Sequence, residues 1–242
     1  MTDTSFWTTL NPNIIQTPTR KQYFGKYTCR LVINCPAGRL IDSPGDDMWH
    51  ALRQKILTQR AYNYGGSWWA HKNKELSEAN VQQLNIVRDI KRDSPHIKVR
   101  VEEPQVQFYA TCEDDLKVIA VRFPDNLRSK ISIIQLPASD KDVAALKSGK
   151  IILPATSKNE YKYKIVFRDG HYPLETKQQI LSYLESLGSD AKLSKGSSAM
   201  LQREFSYMWG VFAYIMDEKV VTFLNLIAPN SISKIHELEK SS

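Results

Sequence analysis

Apolar positions recur along the second half of the chain with two different periods, one typical of strands and one of helices. From residue 161 onward they predict six elements. In order these are a strand at "YKYKIVFRDG", a helix at "LETKQQILSYLESLG", a weak strand at "DAKLSKGSSAMLQ", a strong strand at "FSYMWGVFAYIM", a helix at "DEKVVTFLNLIAP" and a strand at "SISKIHELE". The predicted order is therefore βαββαβ.

The first half shows the same order with one helix inserted. Strands are predicted at "YTCRLVIN" and "KISIIQLPA", with a strand pair or one bent strand at "IKVRVEEPQVQFYAT". Helices are predicted after Asp46 or Asp47, at "SEANVQQLNIVRDIKR" and at "CEDDLKVIAVRF". Residues 1–25 contain Pro12 and Pro18 and no periodicity, so we expect an arm there.

Two pairs of segments indicate that the halves are repeats. "YTCRLVI" at 27–33 aligns without gaps on "YKYKIVF" at 161–167, an offset of 134 residues. "PDNLRSKISI" at 124–133 resembles "PNSISKIHEL" at 229–238 with a slip of one residue. We predict four regions: an arm at 1–25, a first repeat with an inserted helix at 26–140, a mixed connector at 141–160 and a second repeat at 161–242.

The βαββαβ order resembles the ferredoxin-like fold, in which two helices cover one face of a four-stranded antiparallel sheet. We therefore expect an α+β protein of two tandem ferredoxin-like units. RNA-recognition motifs have this fold and stack bases on aromatic side chains of the two central strands. The matching aromatic positions in the second repeat are Tyr161, Tyr163, Phe167, Tyr207, Trp209, Phe212 and Tyr214.

The segment "MWGVFAYIM" resembles the glycine-aromatic core of the RNA-recognition signature RNP1. It departs from that signature because no basic residue precedes Gly210 and because Val211 interrupts the aromatic spacing. The resemblance therefore concerns the type of fold and surface, over most of residues 26–239, and no specific family.

Strand alternation separates the residues of 161–168 into two faces. Tyr161, Tyr163, Ile165 and Phe167 share one face, and their apolar character favours the core. Lys162, Lys164 and Arg168 lie on the other face, where they either bind phosphate or are simply solvated.

The net charge of the chain indicates that its partner is anionic. The 242 residues are 42% apolar and 24% charged, as in ordinary globular proteins, but the formal net charge is +7. Residues 1–150 contain 22 basic and 16 acidic residues, against 11 and 10 in the remainder. A basic surface of this kind favours nucleic acid, and its location favours the N-terminal half.

Two segments of that half combine basic and aromatic residues, which suits a single strand because cations neutralise phosphates while rings stack on bases. The first segment comprises Arg20, Lys21, Tyr23, Phe24, Lys26, Tyr27, Arg30 and Arg39. The second comprises Arg60, Tyr62, Tyr64, Trp68, Trp69, His71, Lys72 and Lys74. For the first, a solvated arm whose rings pack on its own domain is the alternative. In the second, a strand would bury only one of the two adjacent tryptophans.

Catalytic and metal motifs are absent from the sequence. Cys29, Cys35 and Cys112 form no zinc pattern, and the acidic clusters open predicted helices, so we predict no metal and no cofactor. We find no transmembrane stretch, and we expect a cytoplasmic protein, or a nuclear one in a host with a nucleus.

The leading interpretation is a single-stranded nucleic-acid binding protein without catalytic activity, with RNA favoured over DNA. The first alternative is an assembly protein that associates with itself or with partner proteins. The second is a small metal-independent endoribonuclease that uses a histidine such as His71. Tandem ferredoxin-like domains are similar to the repeat-associated CRISPR endonucleases, but this chain lacks their C-terminal glycine-rich loop.

Overall fold

The computed structural model describes residues 4–36, 38, 41, 78–102 and 104–241. The chain divides into two compact units, the first formed by residues up to Thr19 and by Tyr23–Asp140, the second by Arg20–Gln22 and Lys141–Ser242. None of the helices in the described ranges is long and apolar enough to span a membrane.

The first unit contains a five-stranded sheet in the order β1-β5-β2-β4-β3. Its elements are α1 (Thr4–Leu10), β1 (Ile15–Pro18), β2 (Cys29–Asn34), α2 (Glu78–Asp93), β3 (Lys98–Glu102), β4 (Gln105–Ala110), α3 (Glu113–Val121), α4 (Asp125–Arg128) and β5 (Ile131–Leu136). Neighbouring strands are antiparallel except β1, which runs parallel to β5.

One face of this sheet packs on the helices and forms the core of the unit. Alternate residues of the central strands, such as Leu31, Ile33 and Phe108, point to that face and are buried. They pack with the apolar side of α2, which includes Leu84 and Ile90. The strand period of two therefore sends the intervening residues of β2 and β4 to the opposite face.

The second unit contains a five-stranded sheet in the order β6-β12-β7-β11-β9 and a two-stranded sheet of β8 and β10. Its elements are α5 (Asp140–Lys147), β6 (Ile151–Leu153), β7 (Tyr163–Phe167), β8 (Gly170–His171), α6 (Leu174–Ser186), β9 (Ala191–Leu193), α7 (Lys195–Gln202), β10 (Tyr207–Met208), β11 (Phe212–Ile215), α8 (Lys219–Ile227) and β12 (Ile232–Lys240). Ile165, Phe167, Ala213 and Ile215 form the sheet side of its core.

The two large sheets share their arrangement. Four strands of the first sheet, in the order β5-β2-β4-β3, correspond one by one to β12-β7-β11-β9 of the second sheet. Each sheet also has a parallel edge strand, β1 beside β5 and β6 beside β12. Each last strand also contains a β-bulge at the same place. Ser132 of β5 and Ser233 of β12 are the residues skipped in the pairing with β2 and β7.

Comparison with the sequence-based expectations confirms a mixed α+β protein with mostly antiparallel sheets. "IKVRVEEPQVQFYAT" forms a strand pair, β3 and β4, and the helices predicted at "SEANVQQLNIVRDIKR" and "CEDDLKVIAVRF" are α2 and α3. The 134-residue offset between "YTCRLVI" and "YKYKIVF" agrees with the structure. It aligns Leu31 with Ile165, and both side chains are buried in the core. The second alignment pairs the corresponding last strands but is shifted by three residues, because its shared Ser-Lys-Ile places Ile131 on Ile235 whereas strand pairing places it on Ile232.

The N-terminal segment and the connector differ from what we expected. Residues 1–25, expected as an arm, contain α1 and β1, and residues 141–160, expected as a connector, contain most of α5 and all of β6. Each helix precedes a strand that pairs with the last strand of its own sheet. These short elements lack a long periodic pattern because pairing across the sheet, and not local periodicity, stabilises them.

Two predictions in the second repeat are also corrected. Residues 190–202, expected as a weak strand, contain β9 followed by α7, which Ser194 caps by accepting a hydrogen bond from the Ser197 amide. The strong strand expected at 205–216 is interrupted between β10 and β11. Gly210 adopts a φ of 63° there, and its amide donates to Asp169 Oδ1 at 2.9 Å.

Trp7 provides a test of whether the N-terminal segment belongs to the fold. Its side chain is fully buried, and Nε1 donates to Glu113 Oε1 at 2.9 Å. We expect Trp7→Ala to lower the free energy of unfolding by about 3–5 kcal/mol, measured by urea denaturation, because it leaves a large cavity. Thr9→Ala, on the exposed side of the same helix, should change it by less than about 0.5 kcal/mol. Equal stabilities of the two variants would contradict the docking of α1.

Candidate nucleic-acid interface

The face of each large sheet that points away from the helices is termed here the outer face. In the first unit one row of residues crosses four strands of this face: Gln135 on β5, Arg30 on β2, Tyr109 on β4 and Lys98 on β3. Pairing places each of these residues directly beside the next. We call them the first outer row.

The second unit has a matching row on the strands that correspond. It consists of His236 on β12, Lys164 on β7, Tyr214 on β11 and Lys192 on β9. We call it the second outer row. Both rows place a tyrosine between a cation of the central strand and a lysine of the edge strand, so three of the four positions present the same order of chemical groups.

A tight turn at residues 23–27 covers the first outer row. The rings of Tyr23 and Phe24 lie 5.1 and 5.0 Å from that of Tyr109, measured between centroids, and Tyr27 lies at 6.4 Å. As a result Tyr109 is only 3% exposed. The outer face of the first unit is therefore closed at this position, where we expected an accessible sheet surface.

Polar side chains hold the covered row in place. Tyr109 donates its hydroxyl hydrogen to Gln107 Oε1, Arg30 Nη1 donates to the same oxygen at 3.2 Å, and Gln107 Nε2 donates to Glu102 Oε2 at 2.7 Å. Tyr23 donates to Gln135 Oε1. Burial raises the pKa of Tyr23, while Arg30 opposes that shift, so the phenol keeps the proton that it donates.

The second outer row leaves more of its rings accessible. Phe212 and Tyr214 are both half-buried, and their ring centroids are 5.7 Å apart in an edge-to-face arrangement. Lys164 Nζ lies 4.0 Å from the centroid of Phe212 and 5.8 Å from that of Tyr214. These distances are typical of cation–π contacts.

Tyr161 also belongs to the outer face, which corrects the expectation that it shares the core face of β7. Its ring lies 6.2 Å from Tyr214 at an interplanar angle of 30°. Tyr161 precedes the first residue of β7, so strand alternation does not govern its direction. Tyr163, inside the strand, does pack against the core as expected.

Lys164 lies against two aromatic rings of the outer face. Burial among the rings lowers its pKa below the usual lysine value, and the charge of Lys21 lowers it further. Its neighbours across the sheet are Tyr214 and His236, and none of these groups supplies a negative charge. An anion placed beside Lys164 would therefore gain from a cation that has no acidic cross-strand neighbour among the described residues of this face.

A second group of rings lies on and around the small sheet of β8 and β10. Phe205, Tyr207 and Trp209, termed here the aromatic arm, are each 44–45% exposed. Trp209 stacks on Phe205 at 5.6 Å and lies 6.1 Å from Tyr207. Lys177 on α6 is fully buried beneath them and donates from Nζ to the carbonyl oxygens of Arg203 and Phe205. A buried lysine thus anchors the arm to the core of its unit.

The predicted contact residues fall into three groups. Arg30 and Lys164 lie in the outer rows and Tyr23 packs on the first row. Five others are exposed and lie outside the two outer rows: Arg20, Lys21, Lys26, Lys162 and Arg168. The rest lie outside the described residues, namely Arg39, Arg60, Tyr62, Tyr64, Trp68, Trp69, His71, Lys72 and Lys74. The endoribonuclease alternative, which named His71, and the helix predicted after Asp46 or Asp47 lie outside them as well.

Sequence reasoning missed several members of the rows. Lys98, Tyr109, Lys192, Gln135 and His236 were not selected, because only strand register places them beside Arg30 and Lys164. The usable signal was the alignment of the two first strands, since Arg30 and Lys164 occupy the same position in it.

No cluster of three histidine, cysteine, aspartate or glutamate side chains that could hold a metal ion occurs in the described part of the chain. Comparisons of the chain with protein-family models, with curated proteins and with solved structures give no match. The candidate interface must therefore be judged from its own geometry, in which cations and aromatic rings lie side by side.

Substitution of Lys164 by methionine tests its environment. At neutral pH both the folded and the unfolded chain carry the ammonium group, so the folded state bears the full desolvation cost. As pH rises toward 10, the folded state, with the lower pKa, loses its proton first and that cost is relieved. We expect Lys164→Met to be more stable than wild type at pH 7, with the difference shrinking by pH 10 in urea denaturation.

The matched control is Lys162→Met, two residues earlier and exposed. It should show no such trend with pH. A Lys164→Met variant that is less stable than wild type at pH 7 would argue against the proposed desolvation.

Proposed function

We propose that the protein binds single-stranded nucleic acid through the outer faces of two tandem ferredoxin-like units, without catalysing a reaction. The strand orders β5-β2-β4-β3 and β12-β7-β11-β9, with helices on one face, support the ferredoxin-like part of the proposal. RNA is favoured over DNA because the fold and the placement of aromatic residues resemble RNA-recognition motifs. A cytoplasmic or nuclear location belongs to the same proposal.

The observation that carries the proposal is the matching of the two outer rows. A core position is repeated because both units must fold, but the four cations of the rows lie outside the two hydrophobic cores and are free of that requirement. Even so, both rows combine a central cation, a tyrosine and an edge lysine in the same register. A shared ligand that meets both sheets in the same way accounts for this repetition.

The chemistry of the rows suits a single strand. Arg30, Lys98, Lys164 and Lys192 supply four positive charges for phosphates, while exposed rings supply stacking surfaces of about 1–3 kcal/mol per base. The basic excess of residues 1–150 favoured the first half. Among the rings that lie on the strands themselves, however, the half-buried Phe212 and Tyr214 of the second unit are more accessible than the covered Tyr109.

Salt dependence and a ring substitution test this function. We expect a fluorescent 20-nucleotide single strand to bind at low salt, with RNA tighter than DNA. Four phosphate contacts should weaken binding by roughly 50-fold between 50 and 200 mM NaCl. Loss of one stacked base in Phe212→Leu should weaken it by about 5- to 150-fold, measured by fluorescence anisotropy.

The matched control is Phe223→Leu, which removes a 56% exposed ring from helix α8 of the same unit. It should bind like wild type. No binding at low salt, or binding that salt does not weaken, would refute the proposed function. Equal loss in the two phenylalanine variants would refute the outer face as the site.

The aromatic arm supports one further candidate function, assembly with copies of the chain or with partner proteins. Three adjoining rings that are 44–45% exposed are typical of interaction surfaces, and aromatic residues are enriched there.

If the arm joins copies of the chain, the mass measured by light scattering should rise with concentration, and Trp209→Ser should restore the mass of one chain. A wild-type mass that stays at that of one chain at every concentration would exclude self-association.

A further inference from the structure

Phe24 has a backbone conformation that phenylalanine rarely adopts. Its φ is +54°, and Gly25 follows with a φ of +67°. Together they form the two central residues of a tight turn, closed by hydrogen bonds from the amides of Lys26 and Tyr27 to the carbonyl oxygen of Tyr23. Turns with two left-handed residues favour asparagine and glycine, because a larger side chain is strained there.

The strained turn determines where the ring of Phe24 lies. The ring meets Tyr109 edge-on at 5.0 Å, and half of the side chain is exposed. Tyr109, the aromatic member of the first outer row, is almost fully buried. Tyr214, at the matching position of the second outer row, is partly accessible. Phe24 is therefore the aromatic surface that the first outer row presents to solvent.

Two cations lie beside this ring. Lys98 Nζ lies 4.4 Å from its centroid, Arg100 Cζ lies at 5.9 Å, and Lys26 is exposed two residues further along the turn. Arg100 also forms an ion pair with Glu102 at 2.7 Å, which constrains its guanidinium group. Lys98 is therefore the less constrained of the two cations, and it is also the closer one to the Phe24 ring. Lys98 belongs to the first outer row, and its contact with Phe24 links the strained turn to the row.

We propose that Phe24 is the base-stacking residue of the first unit. A nucleobase of a single strand takes the place of the Lys98 ammonium group on the ring, and Lys98 then pairs with the adjoining phosphate. The inference rests on the proposed function and deepens it, since it assigns the second stacking site to a turn residue and not to a central strand. The expected ligand is single-stranded and carries no required sequence, because every base has a face that stacks.

Phe24→Asn separates a binding role from a structural one. Asparagine tolerates the left-handed conformation, so the variant should keep its melting temperature within about 4 °C of wild type. Loss of the stacked base should weaken binding of the 20-nucleotide strand by about 5- to 150-fold. Phe24→Tyr keeps the ring and should bind as wild type does. Phe24→Gly, which suits the turn equally well, should repeat the Asn result.

A crosslinking experiment gives a direct readout. A strand that contains 4-thiouridine, irradiated on the wild-type protein and followed by trypsin digestion, should attach to the peptide of residues 22–26 at Phe24. Wild-type affinity of Phe24→Asn and Phe24→Gly, or crosslinks that avoid this peptide, would overturn the inference and leave the proposed function standing. Failure of the wild-type protein to bind any strand would overturn both.

Discussion

The two-residue period of the central strands β2 and β7 is the constraint on which the rest of the structure depends. Leu31 and Ile33 in one unit, and Ile165 and Phe167 in the other, must face the helices, because their burial stabilises the core. The residues that alternate with these core positions must then point to the outer face. Arg30 and Lys164 lie at the middle of the two outer rows for this reason, and the register of the neighbouring strands adds the other members.

This constraint also explains how far sequence reasoning reaches. The alternation in "YTCRLVI" and "YKYKIVF" was enough to predict both central strands and the face of Lys164. It could not predict β1 and β6, since each has three or four residues whose place depends on a partner strand. Nor could it select Tyr109 or Lys192, whose roles follow from cross-strand register, a long-range property that local patterns do not encode.

Three accessible rings of the outer faces share one further property, which is that a cation lies within cation–π distance of each. Lys98 contacts Phe24, and Lys164 contacts Phe212 and Tyr214. In the free protein these contacts cover rings that would otherwise be apolar surface. Binding of a nucleotide would exchange the cation for a base and move its charge to a phosphate, so stacking and charge neutralisation would occur together and not as separate contributions.

The edge strands β1 and β6 have an effect on the behaviour of the sheets in solution. An uncovered last strand would offer a row of free amide and carbonyl groups, and such rows promote strand exchange and fibril growth. β1 and β6 occupy that position on β5 and β12, and with four and three residues they leave only short edges of their own. At the opposite ends, β3 carries Lys98 and Arg100 and β9 has only three residues. Charge and shortness both discourage further strand addition. Association between copies would therefore depend on side chains and not on the backbone, which would make it reversible and open to change by single substitutions.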